Sequence, residues 1–204
     1  LNQLDLSCID PLIAGEASDF IHHVLSNYCG RLYDVPGGCS FHEDVIRDLW
    51  GFGPGQSNGL DADETHPCRK VNAEWSSTLS NLPWGHFLVS SSPYLRSSQS
   101  AEHGARFTIV PGSRLTTVPK NETEVRLIAK EPLANMTVQK AIGRFIEGAL
   151  ASIGLDIHVQ QPKNKALARR GSLNGTHATI DLSKASDRFH LDLIRRLWPS
   201  DIFG

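Results

Sequence analysis

The stretch PLANMTVQKAIGRFIEGALASIG, residues 132 to 154, constrains this chain more than any other. Ile142, Phe145, Ile146, Leu150 and Ile153 recur at spacings of three and four, which predicts one apolar stripe along a helix. The pattern predicts a helix from about Pro132 to Ile153, and Gly154 supplies a stop. Just upstream, RFTIVPGSRLTTVP reads as two short strands around the turn Pro111-Gly112, and EVRLIAKEP as a third. Short strands feeding a long amphipathic helix place the chain in the α+β class.

The texture changes near Arg106. Residues 1–105 read as helix and loop. EASDFIHHVLSNYCG has Phe20, Ile21, Val24 and Leu25 at helical spacing, with Gly30 as the expected stop. SFHEDVIRDLWG opens with Ser40 and Glu43 in capping-box spacing and closes at Gly51. NAEWSSTLS is expected as a third, shorter helix. GFGPGQSNGLDADE is a loop dense in turn formers, and SSSPYLRSSQSAEHG is Ser-rich. After the long helix, NKALARRG predicts a short helix ending at Gly171, THATID a strand, and SDRFHLDLIRRLW a last helix. The expected divisions are 1–105, 106–175 and 176–204.

An apolar share of 40% and a charged share of 21% describe a globular chain rather than a disordered one. The net charge of −2 hides an asymmetry. Residues 106–170 hold eleven Lys and Arg against five acids, a local +6, which leaves −8 elsewhere. Such a basic middle fits a polyanion site, and equally fits solvated helix faces. Cys8, Cys29, Cys39 and Cys68 are widely spaced with no CxxC, so reduced thiols are expected. A zinc site from Cys68 and His66 with Cys29 or Cys39 lacks ligand spacing. No apolar run reaches transmembrane length.

Two clusters carry chemistry. In ATIDLSKASDRF, Asp181 closes a strand-like run and Asp187 follows six positions later. A carboxylate at a strand end suits a hard cation such as Mg²⁺, and it equally suits a helix cap. In TTVPKNETEVRLIAKEP, Arg126 and Lys130 fall on one face of a strand, and a hairpin can fold Lys120 toward them. Three converging cations fit a triphosphate. The same residues also fit a charged, solvated edge strand. GFGPGQSNG is not a phosphate loop, because it lacks the Gly-Lys-Ser/Thr ending.

TTVPKNETEVRLIAKEP, NMTVQKAIGRFIEGAL and IDLSKASD, with FGPG and AEWS upstream, resemble in order stretches of the RNA-directed RNA polymerases of leviviruses, the small positive-strand RNA phages of the Qβ type. The resemblance implies part of a right-hand polymerase. Residues 1–105 would be an N-terminal helical region, 106–175 the fingers, and 176–204 the start of the palm with its first strand. It implies Mg-dependent nucleotidyl transfer, with two Mg²⁺ ions in the complete enzyme. IDLSKASD resembles polymerase motif A. Asp181 would then be the metal-binding, catalytic aspartate. Leu182 and Ser183 would lie beside the incoming nucleotide, and Asp187 would sense the ribose 2′-hydroxyl. Lys120, Arg126 and Lys130 would grip the triphosphate. Implied partners are template and product RNA, ribonucleoside triphosphates, and host elongation factors with a ribosomal protein. The implied location is the cytoplasm of a bacterial host.

The family's Gly-Asp-Asp turn does not occur in these residues, nor does any Asp-Asp pair. Leu1 in place of Met, and WPSDIFG directly after a helical pattern, read as the ends of a piece of a longer chain. One acid cannot hold two ions for an in-line displacement, so the piece alone is expected to be inactive. Two other readings stand beside it: a non-catalytic RNA-binding module, and a metal-dependent phosphohydrolase using Asp181 and Asp187.

Overall fold

The computed structural model describes residues 9–36, 39–99, 107–180 and 189–200. The chain forms two compact units, Glu43–Phe145 and Leu1–His42 with Ile146–Gly204. Each is mixed or helical in its own way, and they are taken in turn.

The Glu43–Phe145 unit is built on an aromatic spine. Its helices are α2 (Asp44–Leu49), α3 (Pro67–Asn72), α4 (Leu82–Ser91) and α5 (Pro93–Gln99), and its strands are β1 (Trp75–Ser77), β2 (Phe107–Ile109), β3 (Arg114–Pro119) and β4 (Val125–Lys130). The expected long helix is α6 (Leu133–Ser152), which begins here. Trp75 is fully buried, and ring contacts run edge to face from Trp50 through Phe52 and Trp75 to Phe107 at 5.5, 5.9 and 6.3 Å. Offset and T-shaped pairs of this kind add to the burial of large apolar area. Val45, Ile46, Leu88, Leu95, Leu133, Ala141 and Phe145 are buried in the same unit. Each large side chain contributes about 1.5–3 kcal/mol through burial.

The buried stripe of α6 is Ala134, Val138, Ala141, Phe145 and Ala149. Of the expected stripe, only Phe145 is fully buried; Ile153 is exposed. The stripe has turned by about one residue because the alanines admit close neighbours. Gly85 of α4 shows how close: a Cβ there would meet the Phe107 ring at 3.0 Å and Ala134 Cβ at 3.7 Å.

NAEWSSTLS is not a helix. Trp75, Ser76 and Ser77 form a strand that pairs in parallel with Phe107, Thr108 and Ile109. A buried three-residue strand shows no alternation to read. The two strands expected around Pro111-Gly112 exist but belong to different sheets. β2 joins β1, and β3 pairs antiparallel with β4 from Arg114↔Lys130 to Pro119↔Val125.

In the other unit, α1 (Pro11–Tyr33) starts at a side-chain cap, with Asp10 accepting from the Leu12 N–H at 2.8 Å. It passes through Gly30 and stops instead at Asp34, which takes the left-handed conformation at φ 51°. Contacts along one face carry it past the glycine. Ser26 Oγ lies 3.2 Å from Ser40 Oγ, Cys29 Sγ 3.2 Å from Cys39 Sγ, and the Tyr33 ring stacks on His42 at 4.9 Å. The N-cap of α2 is Glu43 rather than Ser40, and it makes no side-chain cap hydrogen bond; the buried Ser40 hydroxyl lies against Ser26. Gly148 of α6 has no room for a side chain, because a Cβ would collide with the Tyr28 hydroxyl.

The helix expected over NKALARRG is longer, α7 (Ile157–Asn174). Asp156 caps it by accepting from the His158 N–H at 2.8 Å, and Gly175 ends it at φ 69°. Pro162 lies inside and disguised the first half as loop. The last helix, α8 (Leu191–Leu197), packs against α1. Of the strand expected over THATID, residues 176–180 form no strand among the described residues, Ile180 is 84% exposed, and Asp181 lies outside them. With no partner ladder, a lone extended segment has nothing to fix it as sheet.

Candidate functional site

The basic hairpin is set by register. Directly opposite residues share a face, so Arg114, Thr116 and Val118 stand with Lys130, Ile128 and Arg126. Arg126 and Lys130 therefore share a face as expected, about 13 Å apart along β4. Thr116, Val118, Ile128 and Lys130 are half-buried on this face. The opposite face carries Leu115, Val125 and Leu127, all exposed by more than 60%.

Arg114 is a fourth cation that the sequence reading missed. It stands directly across from Lys130. Its signal was the register: counting back from the Asn121 turn pairs it with Lys130, but only once β3 and β4 are known partners. That turn is an Asx turn. Asn121 Oδ1 accepts from the N–H groups of Thr123 and Glu124 at 3.0 and 2.7 Å.

The cations differ in what holds them. Lys120 lies at the turn, and its ammonium pairs with Glu124 at 2.8 Å, both groups about half exposed. Lys130 donates to Gln56 Oε1, and Gln56 in turn donates to the Leu60 carbonyl at 2.6 Å. The side chains of Arg114 and Arg126 make no hydrogen bond or ion pair among the described residues, so their guanidinium forks are open to an anion.

The loop that meets Lys130 is rigidly founded. Lys70 is fully buried, and its ammonium donates to the carbonyls of Gly53 and Gly55 at 2.8 and 2.6 Å. Burial pushes its pKa below the usual lysine value. Gly55 and Gly59 take positive φ, 79° and 89°, which only glycine accepts readily. Asn58 then ties the loop to the hairpin. Its N–H donates to the Glu131 carbonyl at 2.8 Å and its amide to the Gly112 carbonyl at 2.9 Å. Ser76 Oγ donates to the Asn58 carbonyl and accepts from the Leu133 N–H at 3.0 Å, while Asn135 exchanges hydrogen bonds with Thr78. The base of the hairpin and the start of α6 are thus fixed to one buried frame.

Asp181, Leu182, Ser183 and Asp187 lie outside the described residues. The approach to them is described. Asn174 and Gly175 turn the chain, and Gly171 lies so close under the His177 carbonyl that a Cβ there would collide with it. As oxygen donors, Asp181 and Asp187 suit Mg²⁺ chemically. Among the described residues no group of three or more His, Cys, Asp or Glu stands together to hold a metal. Among the described residues Cys29, Cys39 and Cys68 form no disulfide.

A family model for the RNA replicase beta-chain matches residues 33–204. The chain belongs to this family. It is 38% identical over 112 residues to the RNA-directed RNA polymerase beta chain of Escherichia phage MS2, covering 55% of this chain and 20% of that protein. With the same-named chain of Enterobacteria phage fr it is 35% identical over 155 residues, covering 75% and 28%. With that of Enterobacteria phage GA it is 44% identical over 98 residues, covering 48% and 18%. The replicase-family chain therefore spans less than a third of each of these relatives. No helix among its described residues is long and apolar enough to cross a membrane.

Proposed function

We infer that these residues belong to an RNA-directed RNA polymerase that copies an RNA phage genome, and that the β3–β4 hairpin grips the triphosphate of the incoming ribonucleotide. One observation carries the reading. In a chain of the replicase family, Arg114, Arg126 and Lys130 share a single hairpin face, with the two arginines unpaired among the described residues. Arg offers a planar fork to phosphate oxygens, and Lys130, held at Gln56, adds a placed charge. The hairpin's job is electrostatic: it binds, orients and neutralises the leaving pyrophosphate while a 3′-hydroxyl attacks the α-phosphate. Asp181 would hold Mg²⁺, which lowers the charge on the phosphate oxygens, and the oxygen-donor chemistry of that side chain fits the ion. Asp187 would read the ribose 2′-hydroxyl, with the backbone at Leu182 and Ser183 beside the nucleotide.

The 204-residue chain alone does not complete this site, because its sequence supplies no Asp-Asp pair to share the ions. Primer extension on an RNA template, with Mg²⁺ and four ribonucleotides, tests the reading. Extension by the full-length replicase carrying these residues, lost on Asp181→Ala and absent from the 204-residue chain, is the expected result. Extension that survives Asp181→Ala overturns the metal assignment. A full-length chain that binds RNA and never extends a primer makes this an RNA-binding module.

A further inference from the structure

One face of α1 meets the segment that follows it at three places. Ser26, Cys29 and Tyr33 recur at spacings of three and four, so they share that face. Ser26 Oγ lies against Ser40 Oγ, Cys29 Sγ against Cys39 Sγ at 3.2 Å, and the Tyr33 ring stacks on His42. The serine pair and the ring pair flank the thiols along α1 and hold them in register. The two sulfurs differ in access. Cys29 is fully buried, whereas Cys39 is half-buried. Cys68, on α3, is exposed and belongs to the Glu43–Phe145 unit.

We propose that Cys29 and Cys39 form a redox pair, which a peroxide closes to a disulfide that staples the last turns of α1 to residues 39–42. The more accessible sulfur reacts first. Cys39 attacks one oxygen of hydrogen peroxide and the O–O bond breaks, leaving a Cys39 sulfenic acid and one water. Cys29 is then the thiol within reach. It attacks the Cys39 sulfur, the S–O bond breaks, and the departing hydroxide takes the Cys29 proton to become a second water. Two thiols have given two electrons to one peroxide. The contact already present in the reduced chain selects this product. A sulfenic acid with no thiol beside it goes on to sulfinic acid under further peroxide, and here the resolving thiol stands 3.2 Å away. A disulfide holds its sulfurs about 2 Å apart, so a short approach completes the bond. A dithiol reductant reverses it by exchange. The resting pair is reduced, as the cysteine spacing leads one to expect, and answers only to oxidant. This chemistry is independent of the nucleotide reading.

The test uses the full-length replicase carrying these residues, reduced, freed of reductant and treated with a small excess of hydrogen peroxide. Remaining thiols are blocked with iodoacetamide in denaturant. Trypsin with endoproteinase Asp-N then cuts the chain into peptides 19–31 around Cys29, 34–43 around Cys39 and 63–69 around Cys68, and separates Cys8 from all three. Mass spectrometry should find 19–31 and 34–43 joined as one peptide that dithiothreitol splits. Alkylation of Cys29 and Cys39 should be lost in equal measure, with no link to Cys68. Cys29→Ser keeps the shape of the side chain and removes the resolving thiol, so in that variant Cys39 should pass to sulfinic acid. Sulfinic acid at Cys39 in the parent, with Cys29 still alkylated, overturns the proposal. So does a link from Cys39 to Cys8 or Cys68, or a parent whose thiols are all still alkylated after peroxide. None of these readouts needs primer extension, so failure here and failure of the polymerase reading are told apart.

Discussion

Two regions of the Glu43–Phe145 unit use the same residue types to opposite ends. Around Trp75, three buried or half-buried polar side chains are engaged by named partners. Lys70 gives its ammonium to two carbonyls, Ser76 links Asn58 to Leu133, and Asn135 closes on Thr78. On the β3–β4 hairpin, Arg114 and Arg126 stand on the surface with nothing to bond among the described residues. A buried lysine fixes geometry, because losing any partner leaves a desolvated charge or carbonyl behind. An exposed arginine keeps its hydrogen-bonding capacity for a ligand. The first region is the frame, and the second is what the frame presents.

That contrast is open to direct attack. The largest effect is expected from Lys70→Ala, which opens a cavity and strips the Gly53 and Gly55 carbonyls of their donor. A loss of about 3–5 kcal/mol in urea unfolding is expected. A value within 1 kcal/mol would mean that the loop does not depend on this lysine. Ser76→Ala removes one hydroxyl serving two partners and is expected to cost about 1–3 kcal/mol by the same measurement.

The pH dependence of stability sharpens the comparison further. The Lys70 pKa is depressed by burial from 10.5. Between the depressed value and 10.5 the unfolded chain binds more protons than the folded one, so stability rises with pH across that window. Urea midpoints taken from pH 8 to 10.5 should show this rise in the parent and not in Lys70→Met. At the hairpin, Arg126→Gln should weaken ribonucleoside triphosphate binding by about tenfold or more, in line with one charge-assisted hydrogen bond. The same change should leave the urea midpoint unmoved. The smallest effect is expected from Lys120→Gln, whose exposed pair with Glu124 contributes under about 0.5 kcal/mol. A larger loss would place Lys120 in the frame.

Periodicity made α1, α6 and the β3–β4 strands legible, because each is long enough to show its repeat. It failed at Trp75–Ser77, where three consecutive buried residues carry no period at all. It failed at Gly30, where side-chain contacts override a local stop signal, and at Pro162, which α7 absorbs. The basic hairpin was read from spacing alone for Arg126 and Lys130, whose common face follows from a single strand. Arg114 was not, since its place depends on which strand pairs with β3. Lys70 was invisible for a different reason. No sequence pattern marks the lysine of PCRKVN for burial, and only tertiary packing puts it inside.

The parallel pairing of β1 with β2 has a consequence for how the molecule assembles in time. Trp75 meets Phe107 across the whole of α4 and α5, and Ser76 meets Leu133 across 57 positions, whereas the hairpin joins neighbours in the chain. Closing long segments is slow, and hairpins form in about 1–10 μs. The basic face is therefore among the earliest structures to appear as the chain collapses, and the frame that seats it is among the last. Until the frame closes, Lys130 has no Gln56 in place to receive its ammonium, so the hairpin forms before the loop that seats it.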